Sequence, residues 1–402
     1  MDLCLFCDAE LKPGSEEHVF LSALGAHLVT RKVTCQICNN AFASNQTGKV
    51  DDALAEAFVE IRNGLKIWSG RDDPPPTLLR AGTLDNGTEF DLAPGFTPVV
   101  RPGRLPRDLA TRPEQELVAR DQDDAKRMLA IVGKRGFSTK IQQASRVQQR
   151  SPAVKLSFKF DGPKVWRSVA KTAVAGFVVM YGNGLARRHI DGDLRSSIRH
   201  DQPDIAGFAG WDFMNQWPVI ISSSPHPKSP SAQPSGFEHS IIVADVNRWC
   251  VAYVEFFRDW RFSVRLGPAT GLPIRGLAVN PRATKPARFV VDAIAPAAYQ
   301  HRYVGCFQSE HAQILQAAGA ATNRAMSSWN AEARVDYAQQ LSGELDAAIE
   351  AAGENEGSRA TAIKRFATRL AVLEHGAAWV DELDKTFGED TAAELPEPPD
   401  KT

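Results

Sequence analysis

The chain is short of several things, and each absence removes a class of protein. No apolar run approaches the length of a membrane-crossing helix, so a helical membrane protein is not expected. The opening, MDLCLFCDAE, has an acidic residue at position 2 and no room for a positive stretch followed by an apolar one. No secretory leader is expected, and a cytoplasmic site follows. Net charge is nearly absent: 47 Lys and Arg against 48 Asp and Glu leave −1, which excludes a chain-wide attraction for nucleic acid. No internal repeat is found. Cysteine is scarce at six residues, and in a reducing compartment so few thiols do not read as a disulfide framework.

What the chain does have is concentrated at its start. Four of the six cysteines form two Cys-x-x-Cys pairs, Cys4/Cys7 in CLFC and Cys35/Cys38 in CQICNN. Each pair puts two thiolates on one tight turn, and two such turns can close a tetrahedron around zinc with no open position, as in a structural site. Between Cys7 and Cys35 lie 27 residues, enough for a short β-hairpin, and they include Glu17-His18 in EEHVF. Closing the zinc site would bring Glu17 and His18 close to Asn39, the residue after the last cysteine. Cys250 and Cys306 stand alone in apolar surroundings and read as buried thiols.

This order of residues resembles the HNH endonucleases, the ββα-metal nucleases, and most closely a bacterial subgroup. Its pattern runs Cys-x-x-Cys, Glu-His, Cys-x-x-Cys-Asn, then an acidic helix. The resemblance covers about the first 65 residues. It implies that Glu17 and Asn39 hold a catalytic magnesium or manganese ion and that His18 is the general base for hydrolysis of a DNA phosphodiester. A carboxylate and an amide oxygen are hard ligands suited to such an ion, and a neutral imidazole can take a proton from attacking water. Two positions depart from the family pattern: Phe20 stands where many relatives have proline, and the central asparagine has no match between Gly25 and Cys35, where His27 or Thr30 would replace it. The resemblance also implies a bacterial restriction or anti-phage role, with the larger part of the chain docking a regulatory partner or ligand.

The expected class is α+β: a small zinc-bound HNH domain over 1–68, a Pro/Gly-rich linker over 69–110, a mixed α/β domain over 111–300, a helical segment over 301–388 and a disordered tail over 389–402. Asp51 and Asp52 open an amphipathic helix with Leu54, Ala57, Phe58, Ile61 and Leu65 on one stripe, stopped by Asn63-Gly64. Both aspartates read as helix-start residues, with support of a metal site as the minor reading. A short strand is expected at 88–92. A second helix runs from Pro163 to Tyr181 and is apolar all round in its second half, so it is expected to lie against a sheet. That sheet is expected at 219–222, 240–244, 249–257, 261–266 and 289–294, with 249–257 central and a turn at Arg258-Asp259. The stretch 267–286 reads as loop, and helical patterns occupy 331–352 and 360–387.

Between Lys126 and Arg150 the chain carries seven cations and no acidic residue. Lys134, Arg135, Lys140 and Arg146 are the candidates there for contact with nucleic acid, against a solvated face as the plain alternative. Arg167, Lys171, Arg187, Arg188 and His189 read as exposed, and His239 as a minor alternative catalytic histidine. A rival to the nuclease is a non-catalytic module that binds nucleic acid or protein and uses the zinc knuckles only as scaffold.

Overall fold

The computed structural model describes residues 2–44, 49–83, 89–101, 122–135, 162–212, 237–282, 289–291, 311–353 and 355–375. Helices and sheets are both present, as an α+β fold requires, and the chain divides into two compact units, Met1–Ala325 and Met326–Thr402.

The first unit opens with a minimal antiparallel hairpin of β1 (Glu17–His18) and β2 (Val29–Thr30), with Glu17 opposite Thr30 and His18 opposite Val29. Helix α1 (Gln36–Phe42) follows the second cysteine knuckle, so the order is strand, strand, helix. All five residues of the expected apolar stripe are buried. The helix itself is broken into α2 (Val50–Ala57) and α3 (Val59–Gly64) at Phe58, whose φ of −110° and ψ of 16° leave the helical region. The Phe58 ring lies 5.3 to 5.6 Å from those of Phe256, Phe257 and Trp260, which ties this corner to the main sheet.

The 69–110 stretch, expected as a linker with one short strand, contains a three-stranded antiparallel meander: β3 (Leu78–Thr83), β4 (Glu89–Ala93) and β5 (Thr97–Val100). Asn63 ties it to α3. Its fully buried amide donates to the carbonyls of Pro76 (2.7 Å) and Leu92 (3.0 Å) and accepts from the Phe96 N–H (3.1 Å). Helix α4 (Gln122–Lys134) comes next.

The main sheet is antiparallel, in the order β11-β10-β7-β8-β9-β6. Its members are β6 (Ala209–Trp211), β7 (His239–Val246), β8 (Trp249–Phe256), β9 (Trp260–Pro268), β10 (Arg275–Val279) and β11 (Phe289–Val291). The expected central strand is β8, buried from Cys250 onward, and the chain turns between β8 and β9 through Phe257 and Arg258, both at positive φ. Two strands were not anticipated. β10 lies inside the stretch read as loop, and β6 has only three residues, too few to show an alternating pattern. The expected strand at 219–222 lies outside the described residues.

Across this sheet runs α5 (Gly162–Tyr181), buried at all but a few positions. It sits so close to β7 that a Cβ at Gly176 would come within 2.5 Å of the Ile241 side chain, which explains a glycine in mid-helix. Helices α6 (Asn183–His189) and α7 (Gly192–His200) follow.

The helical segment consists of α8 (His311–Ala351), whose residues from Met326 onward belong to the second unit, and α9 (Glu356–His375). Helix α8 starts at His311, within the expected helical segment and ahead of the pattern at 331–352. Gly353, at a φ of +68°, stands just past its end, where left-handed backbone favours glycine.

Candidate functional site

The two knuckles meet. The sulfur atoms of Cys4, Cys7, Cys35 and Cys38 all lie within 4.8 Å of one another, so the four could hold a metal ion such as zinc. Tetrahedral zinc thiolate sites have Zn–S bonds of about 2.3 Å and therefore S–S edges of about 3.8 Å, which this spacing accommodates. A hydrogen bond from Cys38 lowers the pKa of Cys4 to about 4, while the same contact raises that of Cys38 and burial raises that of Cys7, so without a metal only Cys4 is favoured as the thiolate.

Four side chains from α6 and α7 grip the first knuckle by its backbone. Asn183 donates to the carbonyls of Leu3 (2.9 Å) and Lys32 (2.7 Å), Arg187 to Cys4 (3.3 Å), Arg195 to Leu5 (3.2 Å) and Arg199 to Phe6 (2.7 Å). Four consecutive carbonyls, Leu3 to Phe6, thereby accept from side chains, that of Cys4 in addition to the Asp8 N–H. Arg187, expected on an exposed face, is instead half-buried and also pairs with Asp8 at 2.7 Å.

Glu17 has a partner that the opening residues do not reveal. Its side chain is only 3% exposed, and Oε1 lies 2.8 Å from the Nζ of Lys171, itself 3% exposed, on α5. The same ammonium is 2.6 Å from Asp51 Oδ1 on α2 and 4.8 Å from the centre of the Phe42 ring, while Thr34 donates to Glu17 Oε2 at 3.2 Å. Burial works to lower the pKa of Lys171, but the Glu17 and Asp51 carboxylates outweigh it and the net direction is upward. Burial likewise raises the pKa of Glu17, against the pull of Lys171. Lys171 and Arg167, expected as an exposed face, are both buried. Arg167 donates to the Ile198 carbonyl at 2.9 Å. Asp51 lies in the first turn of α2, as its helix-start reading requires, and also serves as the second counter-charge of Lys171.

This arrangement does not fit a divalent cation on Glu17. The carboxylate is closed off from solvent, one oxygen faces an ammonium and the other accepts from a hydroxyl. An added ion of charge +2 would share that oxygen with a like charge in a dry setting.

His18, the next residue on β1, is half-buried, and its Nδ1 is fully enclosed with no hydrogen-bond partner among the described residues. Its pKa is lowered, first by burial and then by the nearby charge of Arg71, with the Ala26 carbonyl acting in the opposite direction. The ring is therefore neutral at pH 7 and can accept a proton. Asn39 comes to β1 through its amide, which donates to the Glu16 carbonyl at 2.7 Å, one residue from Glu17.

Arg71 was missed by sequence reasoning because it stands in RDDPPP, which carries no periodic signal. A tight turn fixes it: Ser69 Oγ accepts the N–H groups of Arg71 and Asp73, and the Gly70 N–H donates to the Ser22 carbonyl at 2.7 Å. A Cβ at Gly70 would fall 1.9 Å from the Ala26 oxygen, so only glycine permits this approach to the hairpin loop.

The remaining candidates separate from this cluster. Lys134 and Arg135 are exposed at the end of α4, while Lys140 and Arg146 lie outside the described residues. Nearer the start of α4, Lys126 and Arg127 pair with Asp123 and Asp124. His239 is fully buried between the Leu24 carbonyl (2.9 Å) and the Phe257 N–H (3.2 Å) and has a structural place. Cys250 is buried, with burial pushing its pKa up to about 12, and Cys306 lies outside the described residues. Among the described residues no helix is long and apolar enough to cross a membrane. No family model, curated protein or solved structure matches the chain.

Proposed function

We propose that the opening segment is an HNH-type nuclease module with a structural zinc, and that the chain hydrolyses phosphodiester bonds of DNA with His18 as general base. The observation that carries this reading is the Asn39–Glu16 hydrogen bond, which holds the Asn39 side chain against the residue that precedes Glu17 and His18, next to the cysteine cluster. In this reading the neutral imidazole of His18 takes a proton from a water molecule as the water oxygen attacks phosphorus; the bond from phosphorus to the leaving oxygen breaks, and that oxygen is protonated by solvent. Arg71, the nearby cation that acts on His18, is the group suited to attract the phosphate. No step is assigned to a magnesium or manganese ion, because Glu17 is engaged by Lys171. Glu17 and Asn39 instead hold β1 in place.

The wider assignment rests on analogy with fused HNH proteins: a cytoplasmic restriction or anti-phage effector, with Lys134 and Arg135 contacting DNA and a regulatory partner or ligand acting through the main sheet and its helices. The second reading, a non-catalytic zinc-scaffolded binding module, is favoured by one observation, the enclosure of both Glu17 and the His18 Nδ1. Incubation of the zinc-loaded chain with supercoiled plasmid, with and without added magnesium or manganese, separates the two. Nicking that disappears in His18→Ala supports the nuclease; binding without any cleavage supports the module.

A further inference from the structure

We infer that the Lys171 ammonium is the resident cation of the Glu17 carboxylate, a charge built into α5 that takes the place of a divalent ion, so that the folded chain binds no magnesium or manganese at Glu17. The inference deepens the nuclease reading and rests on it for the choice of Glu17 as the position in question. Ion binding is measured apart from cleavage, so either can fail without the other.

Three observations carry it. The geometry is that of a filled site: one nitrogen lies 2.8 Å from Glu17 Oε1 and 2.6 Å from Asp51 Oδ1, with the Phe42 ring 4.8 Å away. The ammonium also has nowhere to withdraw. Lys171 is buried, as is every residue from Val165 to Val178 around it on α5. Finally, neither Glu17 oxygen is left open for a second cation: Oε1 faces the ammonium and Oε2 accepts from Thr34. A divalent ion arriving at Glu17 would meet the ammonium at the same oxygen, in a buried setting where the repulsion is weakly screened.

The same geometry says what happens when the charge is removed. Lys171→Met keeps the length of the stem and deletes the ammonium, leaving two carboxylates that had converged on one atom. Hard oxygen ligands of that kind suit manganese. Lys171 is thus a positioning residue: it neutralises Glu17 and anchors β1 to α5 without touching the reacting atoms.

The test uses Mn2+ itself as probe, titrated into the zinc-loaded full chain and followed by the electron paramagnetic resonance signal of the free aqueous ion. Wild type is expected to show no binding that Glu17→Gln removes. Lys171→Met is expected to gain one Mn2+ site at least about tenfold tighter than any in wild type, and Lys171→Met/Glu17→Gln to lose it. A wild-type Mn2+ site that vanishes in Glu17→Gln overturns the inference, and so does a folded Lys171→Met that gains no site. If Lys171→Met fails to fold, judged by its near-ultraviolet circular dichroism, the comparison of wild type with Glu17→Gln decides alone.

Discussion

His239 Nε2 lies 2.9 Å from the carbonyl oxygen of Leu24, a residue 215 positions away. With Nε2 donating to Leu24, Nδ1 must accept the Phe257 N–H, so the ring is held neutral in one tautomer. Burial lowers its pKa to about 4. A histidine whose folded pKa lies below its unfolded value costs stability as pH falls, because only the unfolded chain gains the proton at first. Stability is therefore expected to be full above about pH 6.5 and to decline by roughly 3 kcal/mol on the way to pH 4 through this group alone. Urea denaturation between pH 7 and pH 4 checks it; His239→Gln is expected to be less stable at pH 7 and to lose most of that slope. The lowered His18 acts in the same direction.

Zinc is expected at one ion per chain, bound by the four clustered cysteines. Cys35→Ser or Cys38→Ser should lose it, and chelation of wild type should lower Tm. Metal analysis with differential scanning calorimetry checks both. Asn183→Ala separates the clamp from the metal. It leaves the Leu3 and Lys32 carbonyls without their shared donor, at a cost of roughly 1–3 kcal/mol, while zinc content stays at one.

The Glu17–Lys171 pair is expected to show strong coupling in a double-mutant cycle. Removing the ammonium alone leaves an uncompensated buried carboxylate and should cost roughly 3–5 kcal/mol. Lys171→Met/Glu17→Gln should cost less than the sum of the single changes. Chemical denaturation at pH 7 in the absence of manganese reads the difference, and additive single effects would show that the pair is not a unit.

The parts of this molecule that were legible in the sequence are those set by local pattern. The cysteine knuckles, the apolar stripe from Leu54 to Leu65, the buried helix from 163 to 181 and the central strand from Trp249 all carry short-range periodicity or fixed spacing, and all four stand where expected. What stayed hidden depends on partners far along the chain. Lys171 and Arg187 read as exposed cations because nothing near them in sequence announces Glu17, Asp51 or a row of knuckle carbonyls. Asn63 stands at the end of α3 as its helix-stop reading requires, but its side chain also holds a meander of which only the strand near 88–92 was legible. For the site, the residue types were legible, but the charge balance around Glu17 was not, since the other two charged groups come from α5 and α2.

The most direct measurement of the central claim is plasmid cleavage by zinc-loaded wild type and by His18→Ala, with zinc content and circular dichroism matched between the two. The account expects nicked or linear product from wild type and a rate at least about a hundredfold lower from the variant, the usual worth of a general base. Equal cleavage by the two proteins, or none by wild type with any added divalent ion or without one, would contradict it.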